Sequence, residues 1–103
     1  MILYNVTIKI DKSAEEEWLH YMKVEHIPEV MATGNFTGFR MCKLLDIIDD
    51  DESTYVFQYE CESMGILNNY RELKSPQLQE NVLKRFKNKF VAFRTVMEVL
   101  NNK

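Results

Sequence analysis

Glycine and proline are scarce in this chain of 103 residues, with three and two copies respectively. That scarcity leaves little room for flexible linkers, collagen-like repeats or low-complexity tails. The two cysteines, Cys42 and Cys61, lie far apart and form no CxxC pair. Neither a disulfide framework nor a zinc site is expected, and both residues read as buried, reduced thiols. Basic residues are outnumbered, 13 against 16 acidic, for a net charge of −3, which argues against nucleic-acid binding. The densest basic stretch, LKRFKNK, sits on a helical pattern with its own apolar stripe. No apolar run is long enough to span a membrane. The N-terminal MILYNVTIKIDK has no basic lead and no small-residue cleavage site, so it reads as a strand rather than a signal peptide. A cytoplasmic protein is the resulting expectation.

What the chain does contain is an ordinary globular composition, 46% hydrophobic and 28% charged, with a length that fits one domain over residues 1–103. Ile2, Tyr4, Val6, Ile8 and Ile10 alternate with Leu3, Asn5, Thr7 and Lys9, a strand with one apolar and one polar face. Ser13 and Glu16 fit a capping box, and three glutamates suit the positive end of the helix that follows. On that helix Ala14, Trp18, Tyr21, Met22 and Glu25 share a side at spacings of three and four. Pro28 predicts an end or kink near His26, with a short turn beyond it closed by Gly34. A second strand over 36–47 and a third over 54–61 flank the charged loop DDDES as a hairpin. Ile66, Leu67, Tyr70 and Leu73, then Leu78, Val82, Leu83 and Phe86, mark two helical pieces, the second opened by Ser75 and Pro76. KFVAFRTVMEVL closes the chain as a fourth strand.

The order β-α-β-β-α-β predicts the ferredoxin-like α+β arrangement, with a four-stranded antiparallel sheet covered by two helices on one face. For the second strand either alternating set could face the helices, and the set Phe39, Met41 and Leu45 is favoured for the helix side. Arg40 and Cys42 then fall on the open face, which keeps Arg40 from under a helix. The open face is read as Leu3, Asn5, Thr7, Lys9, Arg40, Cys42, Leu44, Val56, Gln58, Glu60, Ala92, Arg94, Val96 and Glu98. Such a mixed surface suits a second copy of the same sheet, and hence a homodimer. RNA binding on this face would need aromatics on the central strands, and they fall mainly on the other side.

The segments MILYNVTIKID, EEEWLHYMKVEHIPEVMATG, GFRMCKLL, TYVFQYE and KRFKNKFVAFRTVMEVL resemble a family of small bacterial proteins, domain of unknown function 4286. Trp18, His26, Pro28, Gly34, Arg40 and the FVAFRT segment are its most specific marks. The resemblance implies a dimeric α+β barrel and assigns no activity. The wider superfamily includes monooxygenases, haem-degrading enzymes and isomerases, several with a His near the end of the first helix followed by Pro and Gly, as in HIP…TG here.

His26 is the candidate acid or base, since imidazole titrates near neutrality. Its competing reading is a helix-end residue bonded to a backbone carbonyl. Glu25 falls toward the apolar side and calls for a partner such as Arg40 or Arg94. Arg40 and Arg94 could hold an anionic ligand, with Asn5, Thr7 and Gln58 as neutral hydrogen-bonding groups, or could pair with Glu60 and Glu98 across the sheet. The expected site lies between the open face and the helix-end segment, with no cofactor and no metal implied. Three functions are consistent with it: binding of a small polar or anionic molecule, a structural or regulatory homodimeric module without catalysis, or a monooxygenase- or isomerase-like enzyme using His26.

Overall fold

The N-terminal alternation forms β1, Ile2–Asp11, in the computed structural model, which describes residues 1–49 and 51–102. Its five apolar residues are buried and the intervening ones are more exposed, as the period of two requires. A 3-10 turn over Lys12–Ala14 leads into α1, Glu15–Tyr21. The expected capping box does not form. Ser13 instead donates its hydroxyl and its backbone N–H to the Asp11 carboxylate, at 2.6 and 2.8 Å, which closes the 3-10 turn one residue too early for Ser13 to cap α1.

The helix does not stop at Pro28. Met22–His26 winds as a π-turn and continues into α2, Ile27–Ala32, with Pro28 in its first turn, where a missing N–H costs little. Gly34 then takes a left-handed φ of +78°, the conformation glycine tolerates at a helix end. A π-turn holds one residue more than an α-turn. Trp18, Met22, His26 and Val30 therefore share the inward side, where an unbroken α-helix would have carried Glu25 and Glu29. Glu25 is exposed and pairs with Arg85 at 3.3 Å, not with Arg40 or Arg94. Deleting Val24, exposed at 57%, should leave a regular α-helix with the same inward stripe. Circular dichroism is expected to stay helical and the Tm close to that of the parent; an unfolded product would refute the compensated stripe.

The remaining elements are β2, Gly38–Lys43; β3, Glu52–Cys61; α3, Met64–Leu73; α4, Ser75–Arg85; and β4, Phe90–Glu98. Of the expected loop over 49–53, Asp50 lies outside the described residues, while Glu52 and Ser53 already belong to β3. The Asp49 carboxylate accepts the N–H groups of Asp51 and Glu52, at 2.9 and 3.1 Å, and so shapes the turn. Ser63 caps α3 by accepting the Ile66 N–H at 3.2 Å. All pairings are antiparallel, in the order β2-β3-β1-β4, and the architecture is the ferredoxin-like α+β fold.

The core lies between the helices and one face of this sheet. Trp18, fully buried, packs on Tyr55 and Phe57 with ring centroids 5.1 and 5.9 Å apart. Tyr4, Phe36, Tyr59 and Tyr70 form a second aromatic group beside it. On β2 the register sets Arg40 opposite Gln58 and Cys42 opposite Val56, so the expected faces of Phe39, Arg40, Met41 and Cys42 hold, but the strand is shorter than the expected 36–47 and leaves Leu44 and Leu45 outside it, on neither face. On β4 the phase is the reverse of the expected one. Arg94 lies opposite Val6, Ala92 opposite Ile8 and Val96 opposite Tyr4, which puts them on the helix side. Val91, Phe93, Thr95 and Met97 take the open face in their place. Cys42 is exposed, contrary to the expected burial, because it too lies on that face; Cys61 is buried.

Candidate functional site

Between the sheet and the helices lies a cavity of about 380 Å³, within the range of small-molecule pockets. Its floor is made by inward residues of three strands: Tyr4, Val6 and Ile8 of β1, Phe57 and Tyr59 of β3, and Phe90, Ala92 and Arg94 of β4. Met22, His26 and Val30, brought into line by the π-turn, form one wall. Tyr70, Ser75 and Pro76, with Gln79, Glu80, Val82 and Leu83 of α4, form the other. The lining is mostly apolar, with a polar corner.

That corner holds groups left without partners. Tyr59 is only 3% exposed, and its hydroxyl is buried with no hydrogen bond among the described residues. The His26 Nδ1 atom is likewise buried and unpartnered. A buried polar atom left bare costs on the order of 1–3 kcal/mol, so both atoms suit a group that enters the cavity. Burial, reinforced by the Arg94 charge, pulls the His26 imidazole down from 6.5 to about 4, so it is neutral at pH 7. Burial pushes the Tyr59 hydroxyl up, aided by Tyr70 and Tyr4, and pushes Tyr70 up to about 12. These phenols are therefore protonated donors. Burial also raises Tyr4, against the opposing pull of the Arg94 charge and hydrogen bond. Arg94 itself, towards the open edge of the cavity, has no carboxylate partner among the described residues.

The expected site residues thus divide between two faces. His26 and Arg94 meet in the helix-side cavity. Asn5, Thr7, Gln58 and Arg40 lie on the opposite face, where Thr95, Asn5, Gln58 and Arg40 form one row across the four strands. The expected cross-sheet pairs of Arg40 and Arg94 with Glu60 and Glu98 do not form among the described residues. Glu25 belongs to neither group, and its carboxylate joins Arg85 on the outer surface, where the guanidinium also covers the Tyr21 ring at 4.9 Å. The cavity tyrosines 4, 59 and 70 were read in the sequence only as core stripe. Their signal was present: hydroxyls at positions that the strand and helix periods bury, with no partner nearby in sequence. Among the described residues no helix is long and apolar enough to cross a membrane.

The fold recurs in several solved structures. A dimeric ferredoxin-like protein from an uncultured marine organism superposes with a TM-score of 0.70 at 11% identity, covering 100% of this chain and 98% of that one. HapK from Hahella chejuensis gives 0.71 at 10% identity, with coverage of 100% and 96%. A Deinococcus radiodurans protein, provisionally described as an antibiotic biosynthesis monooxygenase, gives 0.67 at 12%, also with coverage of 100% and 96%. At such identities the likeness is one of fold. No curated protein matches the sequence. Residues 1–100 match the family described as Domain of unknown function (DUF4286), and the chain belongs to that family.

Proposed function

We propose that this protein binds a small anionic molecule in the helix-side cavity, as a homodimer joined through its open sheet faces. The observation that carries the reading is the pair of buried polar atoms without a hydrogen bond among the described residues, His26 Nδ1 and Tyr59 Oη, on the wall of a cavity that also holds Arg94, which has no carboxylate partner among those residues. An anion there gains a guanidinium countercharge and neutral hydrogen-bonding groups, while its body fills apolar space. Dimerisation is supported by the exposed Val91, Phe93 and Met97 of β4 on the uncovered face and by the dimeric description of one structural neighbour. Asn5, Thr7, Arg40 and Gln58 then serve the interface between copies rather than the ligand. Chemistry on the bound molecule, such as the oxygenation named for one neighbour, would rest on His26 as its one neutral base and ranks behind binding alone.

Native mass spectrometry of the protein purified without added ligand tests this reading. The expected species is a dimer carrying a small additional mass, lost from Arg94→Gln and Tyr59→Phe variants that remain dimeric. A bare dimer unable to take up any small anion would favour an interaction module. A monomer would remove the dimer from the proposal.

A further inference from the structure

The composition of the polar corner narrows the class of anion, on the assumption that the cavity binds one. One guanidinium faces it, from Arg94, and among the described residues no second cation lines the space. A carboxylate, Glu80, also belongs to the lining, near its partner Lys84 at 3.4 Å. A doubly charged group such as a phosphate would meet one cation and one opposing charge, which favours a monoanion. The guanidinium presents a planar fork of donors that matches the two oxygens of a carboxylate. Beyond the corner the floor is Val6, Ile8, Phe57, Phe90 and Ala92, which suits a compact apolar body and offers it nothing to hydrogen-bond.

We propose that the cavity takes a monocarboxylic acid with a compact apolar or aromatic body, held as its carboxylate between Arg94, the Tyr59 hydroxyl and His26. Binding then has a consequence at His26. In the empty site the imidazole stays neutral because it is buried and because Arg94 is close. A carboxylate against it offsets the Arg94 field and supplies the counter-ion that an imidazolium needs. The bound state therefore holds more protons than the free state at mildly acid pH, and by linkage the affinity rises as pH falls. The charged and titratable groups lining the site with His26 are Arg94 of β4, Tyr4 of β1, Tyr59 of β3, Tyr70 of α3 and Glu80 of α4, with Tyr21 stacked on the ring from its own helix at 6.5 Å. The tyrosines, raised by burial, remain protonated through this range. His26 is left as the group that takes up the proton, drawn from solvent.

Isothermal titration calorimetry with sodium benzoate and with benzyl alcohol, its uncharged analogue, tests the assignment. Titrations near pH 5.5 and near pH 7.5, each in two buffers of different ionisation enthalpy, read the proton count directly. Benzoate is expected to bind at least tenfold more tightly than benzyl alcohol, about tenfold more tightly at the lower pH, and with net proton uptake. His26→Gln should flatten the pH dependence, and Arg94→Gln should remove the preference for benzoate. Proton uptake by the unmodified protein stands as a readout even where a variant folds poorly. Benzyl alcohol binding as tightly as benzoate would overturn the carboxylate class. Benzoate binding without pH dependence or proton uptake would overturn the role of His26 while leaving the anion cavity in place. Failure of benzoate in a protein that still carries a small anion in its native mass would overturn this inference alone, and failure of both would overturn the cavity reading with it.

Discussion

Acidification from pH 7 to pH 4 is expected to lower the unfolding free energy by about 3 kcal/mol through His26 alone, the equivalent of a pKa pulled from 6.5 to about 4. The sign follows from proton counting. As pH falls through about 6.5, the unfolded chain binds a proton at this residue. The native protein declines it until about pH 4, because burial and the Arg94 charge disfavour the imidazolium. Stability is therefore complete above the unfolded value and declines across the window between the two. The lowered carboxyls of Asp11, Glu15 and Asp49 act in the same direction but further down, in and below the ordinary carboxylate range. Urea unfolding at several pH values and fixed protein concentration, on the parent and on His26→Gln, isolates the histidine. The parent should lose stability steeply between pH 6.5 and pH 4.5 and the variant only weakly. Parallel curves would mean that His26 is hydrated and that the cavity corner is not as closed as described.

The same residue illustrates how far the sequence could be read. The alternation in β1 was unambiguous because five apolar side chains stand against polar neighbours on a central strand, where both partners enforce one register. The first helix misled at one point. An α-period of 3.6 carries Glu25 inward, and nothing in a local pattern announces that a turn holds one residue more. The surviving clue was that Trp18, Met22, His26 and Val30 make a better apolar stripe than any that includes Glu25 and Glu29. His26 was named as the candidate for chemistry, and its unpartnered Nδ1 lies on a cavity wall. The surroundings it was given, on the open side of the sheet, were those of the other face.

The phase of β4 was the harder problem, and it decides where Arg94 lies. FVAFRTVME carries apolar residues at both alternating sets, Phe90, Ala92 and Val96 against Val91, Phe93 and Met97. On an isolated strand the second set looks like the core face, because it is free of charge. Pairing with β1 chooses the first, and tertiary register overrides local preference in this way on edge strands. Arg94 is tolerated on the helix side because the cavity is open there and its charge reaches solvent. Asn5, Thr7, Gln58 and Arg40 do share the open face, whereas His26 and Arg94 lie at the cavity on the other face and Glu25 on the outer surface with Arg85.

That reversal makes the open face more apolar than composition alone implied, and Phe93→Glu is expected to raise the dimer dissociation constant by on the order of a hundredfold or more. Phe93 is 55% exposed in the single chain, and it heads the row Phe93, Thr7, Val56 and Cys42 across the sheet. Two-fold symmetry introduces the charge twice per dimer, so both the lost apolar burial and the desolvation of a carboxylate are counted from each side. Phe39→Glu is the matched control. Phe39 is 51% exposed, yet it lies opposite Tyr59 on the helix side of β2, away from the proposed interface. Sedimentation velocity over a dilution series should find Phe93→Glu monomeric where the parent and Phe39→Glu are dimeric. Both substitutions remove a half-exposed aromatic ring from an edge strand, so a general loss of stability would move them together. If Phe39→Glu dissociates and Phe93→Glu does not, the copies meet through the helix-side edge of β2, and the open face must be covered by something else.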